Sequence, residues 1–352
     1  MVCVAAFIIL CLVGIIVAFI SIFKKEVGKK YWTVFKKAWH CVFKKVRLQK
    51  CDTDFKDDVK NLILKKVILK RPKLVKPISA LIEFFSIIIV FVTVWSLIVA
   101  IKSLLALWVF GTCNVSKPSA CSLSSESCSI DAEEAHNIFE QIGQNIGQWG
   151  EIFGGIPDRL KTWGEEDFVE LENLPILNLD NDYNKENIAF DIVDPGCIVC
   201  LNSYKNQLEG DFFKNHQVKL VVYPIQSPDG NYKFKNSLVA TKYIIATQMV
   251  KNDVTAKLIN RLFTEEDETG IQFQTRLNND WDEKTTIKTF SSWLKDFGVS
   301  EKEITEIETK ISSEEINQIL QKNKSVVDEK IHAKSIPTLI YDGKKHNGLY
   351  KN

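Results

Sequence analysis

The chain has 352 residues, nine cysteines and a net charge of +1, which leaves room for one or two domains together with membrane segments. The neutral total is not one uniform surface: Lys24 to Lys76 carry 18 Lys/Arg against 5 Asp/Glu, a net of +13, and Ser103 to Asn352 carry 26 against 38, a net of −12. Such a split points to two compartments. No Gly-rich phosphate loop or nucleophile elbow is present, which excludes P-loop and hydrolase-elbow chemistry, and five scattered histidines without ligand spacing predict no metal site.

In chain order, Val2 to Phe23 has no charged side chain and meets the length of about 20 apolar residues that a helix needs to cross a bilayer. Its lysine pairs follow the run instead of preceding it, unlike a secretory signal. A second uncharged run, Phe84 to Ile101, continues past Lys102 to Phe110, with Lys102 able to snorkel. These runs predict transmembrane helices over 1–23 and 78–110. The basic loop of 24–77 belongs on the cytoplasmic side by the positive-inside rule. Both the N-terminus and everything beyond Phe110 are then extracytoplasmic.

Within the loop, Trp32, Phe35, Trp39, Phe43 and Val46 recur at helical spacing among lysines. That is a basic amphipathic helix suited to an anionic inner leaflet. Phe55, Val59, Leu62, Ile63, Val67 and Ile68 predict a second one before Pro72. The lipid bilayer is the expected partner. The interleaved aromatics and the absence of a nucleic-acid motif argue against nucleic acid.

After the second span, 111–167 reads as an extracytoplasmic stalk holding Cys113, Cys121 and Cys128. An oxidising compartment favours one structural disulfide among the three, with one thiol over; the alternative is a relay passing electrons to Cys197. Ile138, Ile142, Ile146 and Trp149 follow a helical period, which Gly154-Gly155-Ile156-Pro157 is expected to break.

The remainder, 168–352, contains the most informative motif. Ile188 to Val193 reads as a strand, Asp194-Pro195-Gly196 as a turn, and Cys197-Ile198-Val199-Cys200 opens a helix running to about Leu208. A helix N-terminus offers unpaired N–H groups and partial positive charge that favour a thiolate, and the second sulfur, three residues on, can close a disulfide. The bland readings are a structural disulfide or half of a zinc site, but no second Cys-x-x-Cys or spaced His pair supplies the missing zinc ligands. Val218 to Tyr223 reads as a second strand. A helical block follows over about 237–330, with Val239 to Val250, Thr285 to Phe297 and Ser313 to Lys330 as examples. Ser300 with Glu303 and Ser312 with Glu315 are the predicted capping boxes. Pro337 to Tyr341 returns to strand character before an Asp342-Gly343 turn.

Strand, Cys-x-x-Cys helix, strand, helical block, then Ile336-Pro337-Thr338 leading a strand: this order resembles the thioredoxin-fold thiol:disulfide oxidoreductases of the DsbA-like branch. The resemblance implies an α/β, thioredoxin-like fold with a helical insertion, preceded here by two transmembrane α-helices. It implies Cys197 as nucleophile, Cys200 as resolving cysteine and Pro337 as the cis-proline facing them. Asp191, six residues before the first cysteine, matches the branch's buried carboxylate, able to take the resolving thiol's proton. Three departures stand out: Ile198-Val199 lacks the histidine of DsbA, Gly196 replaces an aromatic residue, and the closing C-terminal helix is missing.

The function expected from this reading is membrane-tethered thiol–disulfide exchange without a dissociable cofactor. Its partners are cysteine-containing secreted or surface proteins and a redox partner the sequence does not identify. Ile336 and Thr338, flanking Pro337, would bind substrate, Ile336 by pairing its backbone with an extended segment. Cys197 is expected to meet solvent and Cys200 to be buried. The rival reading is a non-catalytic surface peptide-binding or adhesion module with a structural disulfide.

Overall fold

The computed structural model describes residues 8–14, 25–47, 75–116, 118, 128–130, 137–171, 174–177 and 186–351. By its contacts the chain divides into Met1–Ile101 and Lys102–Asn352.

In the first unit, residues 8–14 are helical, and α1 spans Lys25–Val46. On α1, Trp32 stacks on Phe35 with centroids 5.5 Å apart and Trp39 on Phe43 at 6.3 Å. Trp32, Trp39 and Phe43 are all exposed, as an amphipathic surface helix requires. The helix expected over Phe55 to Ile68 and most of the first apolar run lie outside the described residues. The next helix, α2 (Val75–Phe110), has 36 residues, about 54 Å at the α-helical rise. Among the described residues it is the one helix long and apolar enough to cross a membrane. Pro77 falls in its first turn, where a missing N–H costs nothing. It ends at Gly111, whose φ of +73° closes the helix with a 3.0 Å bond to the Leu107 carbonyl.

The second unit is built on a four-stranded sheet in the order β3-β2-β5-β6. Strand β2 (Ile188–Val193) runs parallel to β3 (Gln217–Val222) and antiparallel to β5 (Thr338–Tyr341), which pairs antiparallel with β6 (Lys344–Asn347). Five of the six β2 residues are buried, the pattern of a central strand covered on both faces. Asp342 and Gly343 both take positive φ, 49° and 70°, the geometry a two-residue hairpin turn demands. Pro175 and Leu177 extend the β3 edge through bonds to Leu220 and Val218. A separate pairing joins β1 (Cys128–Ser129) to β4 (Ser335–Ile336).

Two long helices of this unit precede the inserted block, besides the short helical turn Phe212–Asn215. First comes α3 (Ile138–Leu160), capped by the Asn137 side chain. It does not break at Gly154–Pro157 as the sequence predicts: Pro157 lies inside it, and its carbonyl accepts from Lys161 N–H at 2.8 Å. The glycine serves packing instead, since a Cβ on Gly155 would lie 2.7 Å from both Val109 and Phe110. The buried face carries Ile152, while Ile146 is 68% exposed. The second, α4 (Ile198–Glu209), follows β2.

Six helices lie between β3 and β4: α5 (Ser237–Val250), α6 (Thr255–Thr264), α7 (Phe273–Asn279), α8 (Glu283–Asp296), α9 (Glu301–Lys310) and α10 (Glu314–Ser325). Tyr243 of α5 meets Phe290 of α8 edge-on at 5.3 Å. Ser300 and Glu303 form the expected capping box on α9. The second expected box is displaced by one residue: Ser313, not Ser312, caps α10, accepting from Ile316 N–H at 3.3 Å.

Within the segment expected to stand off as a stalk, Glu151, Asp158 and Trp163 make contacts to the sheet and the residues leading into it. Trp163 N–H donates to the Gly343 carbonyl at 2.9 Å, and Phe168 stacks on Phe190 at 3.7 Å. His332 pairs with Asp158 at 2.6 Å and Lys334 with Glu151 at 2.8 Å. The main core accordingly extends back to Trp163 and Cys128.

Candidate active site

The cysteine motif sits where β2 hands the chain to α4. β2 ends at Val193, and Asp194-Pro195-Gly196 turns the chain, with Cys197 N–H donating to the Asp194 carbonyl at 3.0 Å. Cys197 is the N-cap residue of α4, and Cys200 lies in its first turn. Both sulfurs therefore sit at the helix end that favours a thiolate.

The two cysteines differ in bonding, not in exposure. Both are fully buried, which corrects the expectation that Cys197 meets solvent. The reason is a strand lying over it: Cys197 is disulfide-bonded to Cys128, their Cα atoms 6.3 Å apart. Cys200 is a free thiol. Cys128 is thus in neither of the states that a disulfide within the connector would leave it, bonded to another connector cysteine or a spare thiol; its partner is the cysteine named in the relay alternative. Cys113 is disulfide-bonded, and Cys121 lies outside the described residues.

Pro337 and Ile336 face this centre. The Ile336–Pro337 bond is cis, and Cys197 Sγ lies 3.8 Å from the Ile336 carbonyl oxygen. Thr338 is buried and donates its hydroxyl to the Ser335 carbonyl at 2.7 Å. It also pairs with Ile192 of β2, so it braces the loop from behind.

Two buried carboxyls lie beneath the motif. Asp191 accepts from Gln207 Nε2 at 2.9 Å through one oxygen, and its other oxygen has no hydrogen-bond partner. Burial pushes its carboxyl up to about 7 against the pull of that bond. Asp194 is more heavily bonded. It accepts from Gly196 N–H at 2.8 Å, Ile225 N–H at 2.6 Å and the Ser237 hydroxyl, yet burial still lifts it to about 6. Its own N–H points at Cys200 Sγ, 3.5 Å away. The Cys200 thiol is pushed well up by burial first, with the fields of Asp194 and Asp191 adding to the rise. A buried thiol next to a buried carboxyl of near-neutral pKa is a pair between which one proton can move.

The inserted helices hold the motif in place. Gln274 of α7 donates to the carbonyls of Pro195 at 2.7 Å and Cys197 at 3.0 Å, and Asn278 donates to the Gly196 carbonyl at 2.7 Å. Phe234 accounts for the missing aromatic before the motif: a Cβ on Gly196 would lie 2.4 Å from Phe234 Cβ. The ring that covers the motif comes from a distant loop, and glycine makes room for it. Sequence reasoning missed Asp194, Gln274 and Asn278. The Asp-Pro-Gly turn marked the first; nothing in the local pattern of α7 marked the other two. No group of three His, Cys, Asp or Glu side chains able to hold a metal occurs among the described residues.

A strand carrying the cysteine pair into a helix, a second strand parallel to it, a helical block, and then an antiparallel hairpin led by Ile336-Pro337 define a thioredoxin-like fold with a DsbA-type helical insertion. No protein-family model and no curated protein matches the chain. Solved structures similar to it include MdbA, a thiol-disulfide oxidoreductase from Corynebacterium diphtheriae, at 16% identity over 51% of this chain and 85% of that one, TM-score 0.37. The catalytic domain of Proteus mirabilis ScsC matches at 12% identity over 53% and 89%, TM-score 0.36. The thiol-disulfide exchange protein α-DsbA2 from Wolbachia pipientis matches at 15% over 54% and 93%, TM-score 0.34.

Proposed function

We propose that this chain is a membrane-tethered thiol–disulfide oxidoreductase acting on extracytoplasmic proteins that carry cysteines. The observation that carries the reading is the placement of three groups: Cys197 capping α4, Cys200 as a buried free thiol in the same turn, and Ile336-Pro337 against the first sulfur.

The exchange runs in two balanced steps. A Cys197 thiolate attacks one sulfur of a substrate disulfide; that S–S bond breaks, and the other substrate sulfur leaves as a thiolate and takes up a proton. Cys200 then gives its proton to Asp191 and attacks Cys197 Sγ. The mixed disulfide breaks, the second substrate thiol is released and Cys197–Cys200 closes. The substrate gains two electrons and the centre loses two. The same steps in reverse oxidise a substrate dithiol.

Tethering is supported by α2 and by the charge split across it, which together favour a two-pass arrangement with 24–77 inside. A stripe of exposed apolar residues on α3, at Phe139, Ile146, Phe153 and Leu160, suits a domain working next to lipid.

A specific observation favours the rival, non-catalytic reading: the Cys128–Cys197 bond is buried, as a structural crosslink would be. Insulin reduction by the full-length protein in detergent separates the two. The oxidoreductase reading requires turnover that Cys197→Ser abolishes; a wild-type protein without turnover leaves the peptide-binding module standing.

A further inference from the structure

Strand β1 occupies the place a substrate is expected to take. Cys128 lies opposite Ile336 and Ser129 opposite Ser335 in antiparallel pairing, and Ile130 N–H donates to the Lys334 carbonyl at 3.1 Å. These are the backbone positions immediately before Pro337, where an extended peptide would add its own strand. Residues two apart on a strand share a face. Ile130 therefore follows Cys128 toward the domain, and it packs partly buried against the same core. Covalently, the centre is in the form of a mixed disulfide between Cys197 and an extended Cys-Ser-Ile segment, with Cys200 beneath it still a thiol. A structural crosslink requires neither the strand pairing before Pro337 nor the spare thiol beside the bond.

We propose that Cys128 is a third redox cysteine and that Cys128–Ile130 is a built-in occupant of the substrate groove, competing there with extended peptides that carry an aliphatic residue two positions after their cysteine. The inference rests on the exchange reading of Cys197 and Cys200. The step is an isomerisation. Cys200 loses its proton and its thiolate attacks Cys197 Sγ. The Cys128–Cys197 bond breaks, Cys128 leaves as a thiolate and takes up a proton, and Cys197–Cys200 forms. One disulfide and one thiol stand on each side, so no outside oxidant or reductant is consumed. With its covalent bond gone, β1 keeps its main-chain bonds and the Ile130 contact, and yields the edge to a substrate. A segment tethered to its own site acts at an effective concentration on the order of millimolar. The closed form therefore screens Cys197 from dilute thiols and gives way to segments that pair well.

The test uses full-length protein in detergent, equilibrated in glutathione buffers, acid-quenched, alkylated and digested without reduction. Wild type is expected to yield both Cys128–Cys197 and Cys197–Cys200 linked peptides, Cys200→Ser the first alone, and Cys128→Ser the second alone. Ile130→Asp, which weakens the seat of β1 and leaves every sulfur in place, should shift the wild-type mixture toward Cys197–Cys200. With a synthetic Glu-Ser-Cys-Ser-Ile peptide as probe, Cys128→Ser should lower the half-saturating concentration about tenfold, because the tethered competitor is gone; an aspartate in place of the probe's isoleucine should undo the gain. Wild type that forms only Cys197–Cys200, with Cys128 always alkylated, overturns this proposal and leaves the exchange reading intact, as does an unchanged half-saturation in Cys128→Ser. A Cys128–Cys197 bond inert to glutathione, in a protein whose Cys128→Ser form also fails to reduce insulin, overturns the exchange reading itself.

Discussion

Gln207 donates a 2.9 Å hydrogen bond to one carboxylate oxygen of Asp191, and the other oxygen of that carboxyl is buried without a hydrogen-bond partner. One bond does not offset complete desolvation, so the carboxyl sits at about 7 in the folded chain against about 3.9 when unfolded. The folded state holds this proton more tightly. The stability it contributes is therefore fully present below about pH 4 and is lost as pH rises through 7. Asp194, at about 6, acts in the same direction over a lower range. Asp191→Asn should remove about 3 kcal/mol of the fall in stability between pH 5 and pH 8, read as thermal unfolding of the full-length protein in detergent. A variant whose midpoint falls with pH as steeply as the wild type's would show that Asp191 is charged in the fold.

Gly196, next to the motif, has no room for a methyl group. Its Cβ would meet Phe234 Cβ at 2.4 Å and Asn278 Oδ1 at 2.9 Å. Gly196→Ala should cost about 1–3 kcal/mol as overpacking, and Phe234→Gly in the same chain, which removes the clashing Cβ, should recover part of it. Comparing thermal midpoints of the single and double variants checks the coupling; a Gly196→Ala protein as stable as the wild type would contradict it.

The parts of this fold visible in sequence are those written locally. β2 shows itself by a run of apolar residues, the cysteine pair by its spacing after an Asp-Pro-Gly turn, and α9 by the Ser300–Glu303 box. Pro157 and its neighbours misled because the helix runs on past Pro157 to Leu160, and Gly155 is needed for a close approach to Val109 and Phe110. The pairing of Cys128 with Cys197 was not legible: the two are 69 residues apart, and spacing does not choose among partners at that range. Gln274 and Asn278 were equally hidden, because a polar residue on an inserted helix looks solvated until the fold sets it against a carbonyl.

Gln274 offers a sharper test of how the insertion supports the site. Its side chain donates to both Pro195 and Cys197 carbonyls from a fully buried position. Gln274→Leu should leave those two carbonyls without this donor and cost about 1–3 kcal/mol, and insulin turnover should fall with the thermal midpoint. Unchanged stability and turnover would mean the α7 contact does not brace the motif.

The proposed topology makes a separate prediction from charge alone. With 24–77 inside and everything beyond 110 outside, a membrane-impermeant thiol reagent on reduced intact cells should label Cys121 and spare Cys41. Labelling of Cys41 without Cys121 would invert the arrangement.

The central claim is that Cys197 and Cys200 exchange electrons with protein thiols, and the most direct measurement is their redox titration in the native, full-length protein. Samples equilibrated across a series of glutathione ratios are quenched with acid, and the thiols of Cys197 and Cys200 are counted by mass. The account predicts reversible loss of the Cys197 thiol as the buffer becomes more oxidising, with Cys200 lost only in the share that closes Cys197–Cys200, and with the reduced fraction of Cys197 following the two-electron relation in which a tenfold change in ratio spans about 30 mV. A Cys197 disulfide that stays unreactive at every ratio, in protein that remains folded, would contradict it.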